Sequence, residues 1–328
     1  PTSSIAQKEV ETLFEKIEAL RKRGKGIVYI SHKMDEIFRI ADEISILRDG
    51  CIVETRRKED FDIESVIALM VGRKLGGNYP KEEVPCGAVT LEVTDFCGKK
   101  GFQDVNFHLR AGEIVGFAGL VGAGRTELVR ALFGLDPHEK GQVKLHGKPL
   151  AIKNVRDSID NGIVMLSEDR RRYGLVLIRD VKENVTLATL SKFFHNGYLH
   201  VKEEEEAVEK VCERIRVKAP SIDTQVSTLS GEKKKKIVLA KWMMRNPDIL
   251  ILDEPTRGID IGAKFEIYKL MTDIVREGKS IVMVSSELPE LLGMCDRIYV
   301  MEQGRIAGEL HRPEFSQESI MRYAMGMA

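Results

Sequence analysis

The sequence predicts an α/β protein, and two stretches carry the prediction. In the first, the apolar run Ile114 to Ala118 leads into a turn spaced by Gly119, Gly122 and Gly124, then into the helix-periodic Leu128, Val129, Leu132 and Phe133. That order is strand, glycine loop, helix. In the second, four consecutive aliphatics, Ile249 to Leu252, form a strand buried on both faces that delivers Asp253 and Glu254 to its end.

Composition bounds what such a fold serves. The 328 residues are 43% apolar and 31% charged, enough for more than one hydrophobic core. Lys+Arg and Asp+Glu are equal at 51 each, so no basic field points to nucleic acid and no acidic one to a polycation. Five scattered cysteines without CxxC spacing read as reduced thiols rather than a disulfide frame or zinc site. No apolar run approaches the roughly 20 residues that span a bilayer. The N-terminus has no charged-then-apolar signal pattern, so any membrane role is peripheral, through a partner.

The chain repeats itself. A displacement of 254 positions aligns residues 1–72 with 255–326 without a gap, pairing Gly24 with Gly278, Ser31 with Ser285, Asp42 with Asp296 and Gly50 with Gly304. The second copy follows a strand and an acidic pair, whereas the first begins at Pro1. A segment without its central strand lacks partners for its apolar face. The reading is of an N-terminally truncated protein: 1–75 the C-terminal part of a first domain, 76–87 a linker, and 88–328 a second domain.

In chain order, Val10, Leu13, Ile17 and Leu20 space a helix, which Gly24 and Gly26 end before a strand at Ile27 to Ile30. Ser31 and His32 stand at that strand's C-terminal end, the edge where open α/β sheets bind ligands. A surface histidine at a turn is the blander possibility. Ile37 to Ala41 reads as helix, Ile44 to Leu47 as strand, Arg48 to Gly50 as a hairpin turn and Phe61 to Val71 as a short helix. Val89 to Val93 and Val105 to Leu109 alternate as a small antiparallel sheet, and Gln142 to His146 with the Gly147 turn reads as another short strand. Ile163 to Leu166 is a strand ending in Ser167, Glu168, Asp169 and three arginines. Val181 to Val217 is mostly helical, with Lys202 to Glu206 an exposed face. Ser230 and Gly231 precede a helix from Lys236 to Met244, where they either cap it or present N–H groups to an anion; the run Lys233 to Lys236 either meets phosphates or, the blander reading, is a solvated first turn.

The glycine loop lets successive N–H groups converge on an anion at a helix N-terminus, so phosphate is the expected guest; a ligand-free βα turn is the alternative. Gly119-x4-Gly124-Arg125-Thr126 fits the nucleotide triphosphate loop, with Arg in place of Lys. In such a protein Asp253 goes to Mg2+, with Thr126 as the other oxygen, and Glu254 orients and deprotonates the attacking water.

The ordered set of that loop, Leu229-Ser230-Gly231, Ile249 to Glu254, Gly258-Ile259-Asp260 and Ser31-His32 resembles ABC transporter ATPase domains. GLVGAGRTEL, SEDRRRYGLVL, LILDEPTRGID and VSSELPELLGMCDRI resemble the ATP-binding subunits of bacterial monosaccharide importers, most of all the ribose type. The resemblance implies a P-loop NTPase core with a small antiparallel β subdomain and a helical signature subdomain at about 181–245. It implies that Gly119, Gly122, Ala123, Gly124, Arg125, Thr126 and Glu127 hold ATP, Asp253 and Thr126 the Mg2+, and Glu254 the water. Ser230 and Gly231 reach the γ-phosphate of an opposite site, Asp260 lies at a domain contact, His32 is the switch histidine and Phe96 stacks on adenine. Ser286 stands where the second copy's switch histidine belongs, and Glu168 where most such domains have a loop glutamine. Glu232 and Lys233 to Lys235 replace a second glycine and its amides, placing a repulsive carboxylate near phosphate.

The resemblance implies a hydrolysing, energy-coupling subunit at the cytoplasmic face of the plasma membrane whose second site turns over weakly. Its partners are membrane-spanning permease subunits, docked around Glu168 to Asp180, and, indirectly, a periplasmic or extracellular sugar-binding protein. A non-hydrolysing ATP-binding regulatory module is the alternative. A nucleic-acid-acting relative wants a basic domain or a long coiled coil, and neither is present.

Overall fold

The computed structural model describes residues 7–31, 34–48, 51–63, 65, 66, 69, 79–169 and 173–327, in two compact units: 1–78 with 258–266, and 79–257 with 267–328. In the first unit, α1 (Gln7–Lys22) buries Val10 and Phe14. Helix α2 (Met34–Ile40) and the antiparallel pair β1 (Glu43–Arg48) and β2 (Cys51–Arg57) follow, with Arg48 opposite Cys51. Residues 49 and 50 of the expected turn lie outside the described residues. Met34, Ile44, Ile46, Phe61 and Val66 make this unit's core.

The second unit opens with β3 (Val89–Gly98), β4 (Val105–Arg110), β5 (Ile114–Gly119) and α3 (Arg125–Leu132). Then come β6 (His138–Leu145), β7 (Lys148–Leu150), α4 (Val155–Asp160) and β8 (Ile163–Leu166). A helical region holds α5 (Val181–Thr186), a small hairpin of β9 (Phe194–His195) and β10 (Tyr198–Leu199), α6 (Val201–Ile215) and α7 (Gly231–Met243). The chain runs on through β11 (Ile249–Asp253), α8 (Ile261–Arg276), β12 (Ser280–Val284) and α9 (Leu288–Met294). It closes with β13 (Arg297–Glu302), β14 (Arg305–His311) and α10 (Gln317–Ala324).

Strand order in the main sheet is β14-β13-β5-β12-β11-β8, parallel except for β14. Strands β11 and β12 are buried along their whole length, as their unbroken aliphatic runs require of parallel strands covered on both faces. The parallel strands β5, β8, β11 and β12 all end at one edge, which gathers the functional loops there. The second sheet, β4-β3-β6-β7, is antiparallel.

The internal repeat is structural. At a displacement of 254, α1 maps onto α8, α2 onto α9, β1 onto β13 and β2 onto β14, residue for residue. Even the register shift recurs, at Ile46/Leu47 and at Val300/Met301. Each copy buries a glutamate that accepts from a serine: Ser31 Oγ to Glu36 at 3.1 Å and Ser285 Oγ to Glu290 at 2.8 Å. The tyrosine that joins them comes from different positions. Tyr29 donates to Glu36 at 2.9 Å and Tyr268 to Glu290 at 2.6 Å, although Tyr29 aligns with Met283 and Tyr268 with Phe14.

Three expectations are corrected. Residues 27–30 form no strand; Val28 and Ile30 are 91% and 83% exposed. Their counterpart β12 has ladder partners on both edges, β5 and β11, and nothing among the described residues of the first unit plays that part. The hairpin β9-β10 interrupts what reads as helix, turning on Asn196 and Gly197 at φ 54° and 85°, the left-handed pair that a two-residue hairpin favours. Glu204, within the face read as exposed, is buried and accepts from Thr186 Oγ1 at 2.7 Å.

Helix α7 departs furthest. It starts at Gly231 rather than Lys236, and its lysines turn inward: Lys235, Lys236 and Lys241 are buried. Lysine is almost never fully buried without a partner. Lys236 meets Glu232 at 3.0 Å and the Arg216 carbonyl at 3.4 Å, while Lys241 donates to the Gly174 carbonyl at 2.7 Å. Burial pulls the Lys241 ammonium down from 10.5 to about 8. Between those values the unfolded chain binds more protons, so the Lys241 contribution is lost as pH falls through 8 and recovered as pH rises toward 10.5. Relative to Lys241→Met, the wild-type protein gains about 2 kcal/mol from pH 7.5 to 9.5, read from denaturant midpoints; a pH-independent difference contradicts the buried cation.

Candidate functional site

The glycine loop is set by close backbone approach. Gly119, Gly122 and Gly124 take φ of 150°, 83° and 94°. A side chain on Gly124 would place Cβ 1.9 Å from the Gly101 carbonyl oxygen, and one on Gly119 would place it 2.5 Å from that of Met301. The loop is braced from behind: Gly304 N donates to Ala123 O at 3.1 Å, and Gln103 N to Gly304 O at 2.8 Å. Gly124 caps α3, so the loop ends at a helix N-terminus with N–H groups free of intrahelical partners.

The sheet edge brings the acidic pair to this loop. Thr126 Oγ1 donates to Asp253 Oδ1 at 3.3 Å. Burial, then the charges of Glu254 and Glu168, push the Asp253 carboxyl up to about 7, against the Thr126 hydrogen bond and Arg125. Burial also raises Glu254, opposed by the Ser286 hydroxyl, which donates to it at 3.1 Å, and by Arg125 and Arg257. The Glu254 backbone is left-handed, φ 50°, with its N–H held by Val284 O at 2.9 Å. Such a conformation in a non-glycine residue is strained and persists where surrounding contacts impose it.

Arg125 does not simply point at the loop. Its guanidinium donates to the Ser285 carbonyl at 2.8 Å; burial lowers its pKa, opposed by Glu254, Asp253 and Glu127. Glu168 pairs with Arg257 at the same edge. Thr126 and Asp253 are oxygen donors, which suit a hard cation such as Mg2+, and Mg2+ takes only one or two protein ligands when a nucleotide supplies the rest. The donor set fits that ion.

The remaining sequence candidates divide. Ser230 Oγ accepts from Lys233 N at 3.5 Å and so caps α7. Asp260 Oδ1 accepts from Ala263 N at 3.0 Å and caps α8 in the same way. Glu232 does not stand as a free repulsive charge, because Lys236 pairs with it. His32 lies outside the described residues. Phe96 is corrected: its ring is fully buried against Phe102 and His138, with centroids 5.4 and 4.9 Å away, and offers no face to a base. Asp95, at φ 49° beside a register shift in β3, turns Phe96 inward.

Sequence reasoning missed Arg257, Ser285 and Glu290. Glu290 is buried and accepts from Thr256, Tyr268 and Ser285, joining the segments just beyond Glu254 and just before Ser286. An ionised carboxylate, which only accepts, suits three hydroxyl donors. Its one signal in sequence was its recurrence as Glu36 in the first copy.

The ABC transporter family matches over residues 102–257. An ATP-binding cassette of an ABC transporter in its ADP conformation superposes with a TM-score of 0.59 at 20% identity, over 73% of this chain and 95% of that one. The dimeric structure of a bacterial ABC transporter cassette gives 0.60 at 19% identity, over 69% and 100%. The fold is that of an ABC ATPase. In sequence, the chain is 47% identical over 326 residues to the ribose import ATP-binding protein RbsA of Bacillus licheniformis, covering 99% of this chain and 66% of the relative. It is 46% identical over 327 residues to the ribose import ATP-binding protein RbsA 3 of Rubrobacter xylanophilus, covering 100% and 66%. The chain spans 62% to 66% of the length of the curated relatives it matches. Among its described residues no helix is long and apolar enough to cross a membrane.

Proposed function

We propose that this chain binds ATP with Mg2+ and is the energy-coupling ATPase subunit of an importer for a monosaccharide such as ribose. It works at the cytoplasmic face of the membrane, against permease subunits that a sugar-binding protein supplies. The observation that carries the reading is the meeting of Thr126 with Asp253 across the sheet edge, with Glu254 next in the chain. The likeness to ribose import ATP-binding proteins supports the sugar class. The residue-for-residue repeat supports reading residues 1–75 as part of a first nucleotide-binding domain and 88–328 as a second, with 76–87 between them.

In this reading the loop from Gly119 to Glu127 cradles the triphosphate through backbone N–H groups, and Arg125 adds positive charge beside it. Thr126 and Asp253 hold Mg2+, which when bound neutralises phosphate charge. Glu254, its carboxyl raised by burial, accepts the proton of the attacking water. Ser286 holds Glu254 with a neutral hydroxyl, whereas a histidine there could carry a cation toward the phosphate; that difference favours slow turnover at this site.

The same observation supports the second reading, a regulatory module that binds ATP without hydrolysing it. Reconstitution with a permease separates them. The importer reading expects ATP turnover that rises when the transported sugar is present. ATP binding with no turnover under either condition selects the regulatory module.

A further inference from the structure

The lysine-rich start of α7 has no part in the site as described so far, yet one of its lysines reaches the turn that carries the acidic pair. Lys235 is 2% exposed, and its Nζ donates to the Arg257 carbonyl at 2.7 Å and to the Glu254 carbonyl at 3.4 Å. The turn Glu254 to Arg257 is closed only by a long bond, Arg257 N to Glu254 O at 3.4 Å. Both carbonyls therefore converge on one ammonium. Glu254 is the strained residue of this turn, at φ 50°. It is fixed on three sides: by Val284 O at its N–H, by Ser286 at its carboxylate and by Lys235 at its carbonyl.

We propose that Lys235 is a positioning residue for Glu254, holding the left-handed turn from the main-chain side and so fixing where the carboxylate points. Ammonium-to-carbonyl bonds in a dry site are among the stronger hydrogen bonds, since the donor is charged and water does not compete. A flexible four-carbon stem reaches two carbonyls that a shorter side chain meets less completely. The neighbouring lysine does different work, since Lys236 neutralises Glu232. The basic stretch is thus a set of internal ties and not a phosphate-facing surface.

The catalytic half of the proposal rests on the ATPase reading above, and the test separates the two. In the full chain, Lys235→Met keeps the volume and removes the donor, while Lys235→Gln restores a donor on a shorter arm. Hydrogen–deuterium exchange of the Glu254 and Arg257 amides is expected to quicken by about tenfold or more in the Met variant and to recover in part in the Gln variant. With MgATP, kcat is expected to fall by about tenfold or more in Lys235→Met with KM within about twofold, and to recover in part in Lys235→Gln. Unchanged exchange in a folded Lys235→Met protein overturns the proposal, as does faster exchange with unchanged kcat. If the wild type itself turns over no ATP, the ATPase reading fails, and the exchange measurement still decides whether Lys235 holds the turn.

Discussion

Gly124→Ala is expected to abolish nucleotide binding and to destabilise the protein by more than about 3 kcal/mol. The added Cβ meets the Gly101 carbonyl oxygen at 1.9 Å, and the backbone sits at φ 94°. Both walls are main chain, so no side chain can swing away. Gly101 is itself fixed in a positive-φ turn, and its neighbour Gln103 is tied to Gly304 at 2.8 Å. The loop must open or α3 must shift, and either change scatters the N–H groups at the α3 N-terminus that the proposed function assigns to phosphate. Gly122→Ala is the comparison that isolates the cause. Its φ is also positive, 83°, but its Cβ meets nothing within 4 Å, so it carries only the backbone strain of about 1–2 kcal/mol. Denaturant unfolding and ATP titration of the two variants check this. Equal behaviour of Gly124→Ala and Gly122→Ala would falsify the close-packed loop.

Glu254→Gln is expected to lower ATP turnover by about 100- to 1,000-fold while leaving ATP affinity within a few-fold. The amide keeps the size and can still meet the Ser286 hydroxyl, which lies 3.1 Å from the carboxylate, but it cannot accept a proton from water. The pH profile adds an independent check. Burial raises the Glu254 carboxyl above its ordinary value, so the base form fills at higher pH than for an exposed glutamate. Turnover in the wild type should rise with pH through that ionisation, and the rise should vanish in the variant. Equal turnover in both proteins would show that Glu254 is not the base.

The site's centre was legible in the sequence because its signals are local. A glycine loop after an apolar run and an acidic pair after four aliphatics each name a strand end, and parallel strand ends meet at one edge. The repeat was legible for a similar reason, since residues 255–326 carry the pattern of 1–72 position by position. What was not legible depends on distant partners. Lys235 and Lys236 read as solvated because charge in a first turn usually is, and only distant carbonyls and the Glu232 carboxylate make their burial tolerable. Phe96 lies before the phosphate loop where an adenine-stacking aromatic was expected, but the register shift at Asp95 sends its ring into the core. Residues 27–30 carry the apolar pattern of a strand without the two edges that make β12 one. Pattern states what a segment can become, and partners decide whether it does.

The most direct test of the central claim, that the glycine loop and the acidic pair form one Mg2+-nucleotide site, is calorimetric titration of ATP into the wild type and Asp253→Asn, each with and without Mg2+. Thr126 and Asp253 stand 3.3 Å apart at the loop. The account predicts that Mg2+ tightens ATP binding about tenfold or more in the wild type and has little effect in Asp253→Asn, which keeps its shape but loses the charge. The same Mg2+ effect in both proteins, or no ATP binding by the wild type, would contradict it.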